Sequence, residues 1–161
     1  MQHVATLYIS DNVTMRHSAE DKLAIDLQKT GLQATPSYMV IGDTLDPKNI
    51  DAAKAQLRDK GFDGVITMRI VERNQELEGM PTYDWTWGGW GYPAYGYGYG
   101  YSGYTYTETI YRVETAAFDL RNNTLVWSVM TKTTDPETAR ELIGGTSQVV
   151  TREFVKHGLS G

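Results

Sequence analysis

At 161 residues the chain is long enough for one domain that buries roughly two thirds of its unfolded surface, and the absence of cysteine excludes disulfides, thiolate metal sites and cysteine catalysis. A formal charge of −5 at pH 7 opposes the phosphate backbone of nucleic acid, whose binding relies on Lys and Arg. No apolar run approaches the length of a membrane span, and Met1-Gln2-His3 lacks the charged and apolar regions of a signal peptide.

Val4 to Ile9 is apolar and β-branched in the manner of a buried strand, closed by Ser10-Asp11-Asn12. A strand beginning this early fits the mature part of a longer precursor. Between Thr14 and Thr30, Ala19, Leu23 and Leu27 recur on one helical face, Arg16, Glu20, Asp26 and Lys29 are assigned to water, and Gly31 is the stop. Gln33 to Ile41 reads as a second strand whose Pro36 suits a sheet edge. Asp46-Pro47 opens the next helix, with Ile50, Ala53 and Leu57 as its apolar stripe and Lys60-Gly61 as its end. Gly64 to about Val71 is a central strand. Thr105 to Leu120 and Thr124 to Thr133 form a hairpin around Asn122-Asn123. Asp135-Pro136-Glu137 starts a last helix, lined by Ala139, Leu142, Ile143, Val150 and Phe154, in which Gly144-Gly145 is a point of bending or close packing. Trp127 is expected in the core or beneath a helix.

The order βαβαβ-ββα, with right-handed crossovers, predicts a single three-layer α/β domain over residues 1–161. Its mixed five-stranded sheet has the order 2-1-3-4-5, strand 4 is antiparallel, and three helices cover both faces. Residues 74–104 are a Tyr/Trp/Gly-rich loop insertion between strands 3 and 4. Pro81 to Tyr106 alone hold eight of the eleven tyrosines and three of the four tryptophans, without one Lys, Arg or His. Such residues offer large contact areas with polar tips, suited to flat ligands, sugars or protein partners, whereas a plain solvated loop is the alternative. With Glu76, Glu78, Asp84 and Glu108 and no basic residue between Arg73 and Arg112, the stretch is a poor platform for nucleic acid.

No catalytic constellation is legible. Gly98, Gly100 and Gly103 match G-x-G-x-x-G by letter, but strand-like residues follow where a dinucleotide site needs a helix. His3, His17 and His157 lack metal-ligand spacing, no Ser lies in a G-x-S-x-G elbow, and the carboxylates read as solvated helix faces. The expectation is a protein without catalytic residues, metal or cofactor. Ligands of open α/β sheets sit beyond the carboxyl ends of strands where the winding reverses, here between strands 1 and 3. Asp11 and Asn12 follow the first, and Trp85, Trp87, Trp90, Tyr92 and Tyr95 follow the third, so these seven are the candidate contact residues. Capping of the first helix is the competing role for Asp11 and Asn12.

The segments VATLYISDN, FDGVITMRIVE and ETAAFDLRNNTLVWSVMTKT, in this order with a closing helix, resemble small bacterial cell-envelope lipoproteins of uncharacterised function. More distantly they are similar to the curli-secretion lipoprotein family, the TolB amino-terminal domain and the lipoprotein activators of penicillin-binding proteins. The resemblance implies a periplasmic protein, outer-membrane-anchored in its full-length form through a lipidated cysteine that this chain lacks. It transfers no catalytic residue. The reading is a non-enzymatic envelope binding or assembly module, its aromatic loop meeting a protein partner or its own copies. The alternative is a module binding peptidoglycan or another polysaccharide.

Overall fold

The computed structural model describes residues 1–46, 48–77 and 107–160. Its elements in chain order are β1 (His3–Tyr8), α1 (Val13–Gln28), β2 (Gln33–Pro36), α2 (Tyr38–Ile41), α3 (Ile50–Asp59), β3 (Gly64–Leu77), β4 (Thr107–Asp119), β5 (Thr124–Thr134) and α4 (Ala139–Lys156). The strands form one sheet in the predicted order β2-β1-β3-β4-β5, with β1 parallel to β2 and β3 and β4 antiparallel to both its neighbours.

Strand alternation divides the core. Val4, Tyr8, Ile66, Met68 and Val113 point to the face covered by α1 and α4, where Leu23, Leu27, Val150 and Phe154 pack on them. Ala5, Leu7, Ile9 and Val65 point to the other face and meet Ile50, Ala53 and Leu57 of α3. Trp127 lies beneath α4 as expected, edge-on to Phe154 with ring centroids 4.8 Å apart.

Four local expectations are corrected. The strand predicted over Gln33–Ile41 ends at Pro36, and Tyr38–Ile41 is a fourth, short helix. Its chain turns because the Glu20 carboxylate accepts the Ser37 hydroxyl and the Tyr38 N–H, each at 2.9 Å. The helix expected from Asp46 starts instead after Asn49, whose side chain accepts the Ala52 N–H at 3.2 Å, while Asp46 closes a turn on the Lys48 N–H. Likewise α4 starts after Thr138, which caps the Glu141 N–H. Asp135, at φ 46°, exchanges hydrogen bonds with Thr109 of β4. Ala139 is consequently exposed, and α4 runs unbroken through Gly144 and Gly145. Finally, β3 continues to Leu77, into residues assigned to the loop, because its backbone stays paired with β4 as far as Leu77↔Thr107. A bulge at Val71 separates this outer part from the inner strand.

Candidate functional site at the carboxyl end of the sheet

The winding reversal falls where predicted: α1 carries the chain from β1 to β2 on one side, and β3 lies on the other. Two structures meet there. The first is a cleft of about 270 Å³ on the α1/α4 face, lined by Met15, Ile70, Tyr111, Leu142 and the stretch Pro136–Ala139. Met15, Ile70 and Tyr111 are partly buried against the core, so the floor is apolar, and Glu137 and Thr138 supply a polar lip. The Arg73 guanidinium stands 5.8 Å from the centre of the Tyr111 ring. Such a cleft suits an apolar or aromatic side chain more than a charged metabolite.

The second structure is a polar cluster beneath the first turns of α1. Periodicity assigns Arg16, Glu20 and Asp26 to water, yet they are 2%, 1% and 5% exposed. Glu20 accepts four hydrogen bonds: from the Tyr8 N–H (3.1 Å), Arg16 Nε (2.8 Å), the Ser37 hydroxyl and the Tyr38 N–H. Arg16 also donates to Ser37 Oγ at 3.0 Å and lies 3.9 Å from Asp43. Outside this buried group, His17 Nε2 is 2.6 Å from Asp43 and its ring stacks on Tyr38 at 3.8 Å. The Tyr38 hydroxyl donates to Asp21 at 2.8 Å, and that bond, then burial and the neighbouring carboxylates, pushes the phenol above its ordinary value. Apart from the Arg16–Glu20 pair within α1, these bonds tie α1 to the end of β1 or to the chain that follows β2, so the cluster clamps the carboxyl end of the sheet.

Of the predicted contact residues, Asn12 is the N-cap of α1, its Oδ1 accepting the Met15 N–H at 3.0 Å. Asp11 is exposed beside it, past the end of β1. Trp85, Trp87, Trp90, Tyr92 and Tyr95 lie outside the described residues. The cleft and the clamp escaped sequence reasoning because their members come from six elements. The one available signal was the i, i+4 spacing of Arg16 and Glu20, which also describes any solvated helix pair. Among the described residues no group of three or more His, Asp or Glu side chains is arranged to hold a metal, and no helix is long and apolar enough to cross a membrane.

Strand order, direction and layering define a three-layer α/β domain with a mixed sheet extended by an antiparallel ribbon. Among solved structures this fold is that of PelC from Paraburkholderia phytofirmans: a dodecamer of a PelC point variant matches over 93% of this chain and 87% of its own, at 16% identity and a TM-score of 0.51. A second PelC dodecamer matches at 14% identity over 93% and 85%, with a TM-score of 0.50. Also similar are a lipoprotein from Neisseria meningitidis (13% identity, 97% of this chain and 99% of that one, TM-score 0.48) and TolB from Acinetobacter baumannii (13%, 99% and 29%, 0.47). The resemblance read from the sequence to envelope lipoproteins and TolB is thus met among the structural neighbours. No protein-family model and no curated protein sequence matches the chain.

Proposed function

We propose that the protein is a non-enzymatic binding or assembly module of the bacterial cell envelope, periplasmic and held at the outer membrane in lipoprotein form. The aromatic stretch 81–106 is its contact surface for a protein partner or for further copies of itself. The observation that carries this reading is the domain-long fold likeness to PelC, whose solved forms are dodecamers. The buried polar groups at the carboxyl end of the sheet agree with it, since Arg16 and Glu20 are committed to holding backbone and side chains together. The pairing of Leu77 with Thr107 brings together, at one end of the β3–β4 ribbon, the two described residues between which the aromatic stretch lies in sequence.

Light scattering on the intact chain and on a variant in which Asn-Gly joins Leu77 directly to Thr107 tests the proposal, with circular dichroism to verify folding. An oligomeric intact chain and a folded monomeric variant are expected. A variant that keeps the oligomer refutes the role of the stretch. If both are monomers, self-assembly is rejected, and saturable quenching of tryptophan fluorescence by peptidoglycan fragments would move the reading to a glycan module.

A further inference from the structure

Along the seam where α1 packs on α4 runs a groove of about 450 Å³, lined by Lys22, Asp26, Lys29, Thr151, Arg152 and Val155, with Gln148 completing its wall. Three cations less one carboxylate leave it with a charge of +2, in a chain whose formal charge is −5. The carboxylate is built in: Asp26 is 5% exposed and accepts hydrogen bonds from Ser147 across the seam (2.7 Å), from Lys29 (2.8 Å) and from Lys22. Burial pushes this carboxyl up, but the hydrogen bonds from Lys22, Lys29 and Ser147 outweigh it and hold it down at about 2. Asp26 therefore stays ionised and pins both ammonium groups at the groove. Each ammonium carries three donors, of which one goes to Asp26. Arg152 makes no side-chain hydrogen bond or ion pair among the described residues.

Two further features belong to this site. Lys22 runs past Gly144, its Cε 4.0 Å from where a Cβ at that position would sit. A poor helix former in the interior of α4 is thus the place over which the lysine stem passes. Val155 of the groove wall and Ile25, next to Asp26 on α1, are each 52% exposed. Ile25 lies one helical turn after Lys22 on α1 and four residues before Lys29, the C-cap of that helix. Cations pinned beside exposed apolar side chains are the combination that recognises phosphate at an apolar boundary.

We propose that the α1–α4 groove binds a phosphate-bearing anion, with Lys22 and Lys29 as point charges and Arg152 as the bidentate donor. A phosphate group, with several acceptor oxygens and up to two negative charges, matches three converging cations and the net +2 better than a single carboxylate does. The phosphate can come from an anionic lipid headgroup, which Ile25 and Val155 favour, or from a free phosphate monoester.

The test uses the full chain, with NMR of the backbone amides and the arginine side chains during titration with inorganic phosphate. Co-sedimentation is run in parallel with phosphatidylcholine vesicles with and without phosphatidylglycerol. Expected are shifts confined to the groove, weakened by salt, and an affinity lowered about tenfold or more by Lys29→Glu or Arg152→Glu. Both side chains are exposed, and Arg152→Glu removes no described contact, so folding is preserved in at least that variant. Binding of anionic vesicles lost in the variants assigns the site to headgroups. Binding of inorganic phosphate without vesicle binding assigns it to a free monoester. Absence of both, or binding that Arg152→Glu leaves unchanged, overturns the proposal.

Discussion

Replacing Glu20 by glutamine tests whether the buried clamp, and not only the apolar core, holds the carboxyl end of the sheet. The substitution is nearly isosteric, so no cavity opens. It removes the negative charge opposite Arg16, which is 2% exposed, and an uncompensated buried charge costs about 3–5 kcal/mol. The two carboxylate oxygens also have different duties: Oε1 accepts from Tyr8, Arg16 and Ser37, and Oε2 accepts from Tyr38. An amide that keeps its oxygen at the first position turns N–H donors toward the Tyr38 N–H, adding about 1–3 kcal/mol for a buried donor left unpaired. Asp43, 3.9 Å from Arg16, offsets part of the first of these costs, so the predicted loss is about 3–5 kcal/mol, large against a total stability of roughly 5–15 kcal/mol. Arg16→Met is the informative companion, because it leaves Glu20 with three donors and is predicted to cost about 1.5–3 kcal/mol. The double variant should then be less destabilised than the sum, by about 1–3 kcal/mol. Urea unfolding followed by far-ultraviolet circular dichroism gives all three values, and hydrogen exchange at Tyr38 reports α2 directly. A loss below about 1 kcal/mol for Glu20→Gln, or a larger loss for Arg16→Met than for Glu20→Gln, would refute the reasoning.

Two further predictions address other parts of the α1/α4 layer. The Asp26 carboxyl is held at about 2 in the folded chain against an ordinary 3.8, so its contribution is present above the ordinary value and is lost as pH falls from about 4 toward 2. Asp26→Asn should therefore cost up to about 2 kcal/mol at neutral pH and almost nothing near pH 2, measured as unfolding free energy against pH. A variant equally destabilised at both ends of the range contradicts this. Phe154→Ala, at a fully buried position against Trp127, should cost about 3–5 kcal/mol and quench or shift the near-ultraviolet dichroism of that indole. A loss under about 1 kcal/mol would mean that α4 is not seated on the sheet.

The strand order was legible because its signals are local: Val4–Ile9 and Gly64–Val71 are apolar runs, and Ala19/Leu23/Leu27 and Ile50/Ala53/Leu57 repeat at helical spacing. The hairpin turn was legible from Asn122-Asn123, where Asn123 takes φ 54°. What failed was set by partners distant in sequence. Asp26 is buried because Ser147, 121 residues away, meets it. The Tyr-Met-Val-Ile run reads as strand by composition and becomes helix because a carboxylate on α1 takes its first N–H. Asn74, Gln75 and Glu76 look like loop because they are polar, but ladder hydrogen bonds join backbone to backbone and are indifferent to that. For the site, the winding rule points to the end of the sheet where the cleft and the clamp lie, and Asn12 there caps α1.

The reach of the β3–β4 ribbon past β1 bears on how the domain tolerates change. β1 pairs with β3 only as far as Met68, and β3 continues for nine more residues, roughly 30 Å at the strand rise. Leu77 and Thr107 thus close the far end of a paired ribbon, beyond the part of β3 that lies beside β1. The entropy of closing a connection grows only with the logarithm of its length, by about 0.6 kcal/mol per doubling. By this entropy alone, changing the number of residues between Leu77 and Thr107 weighs little on folding. The same sheet can therefore carry connections of quite different length at this end at nearly the same entropic cost.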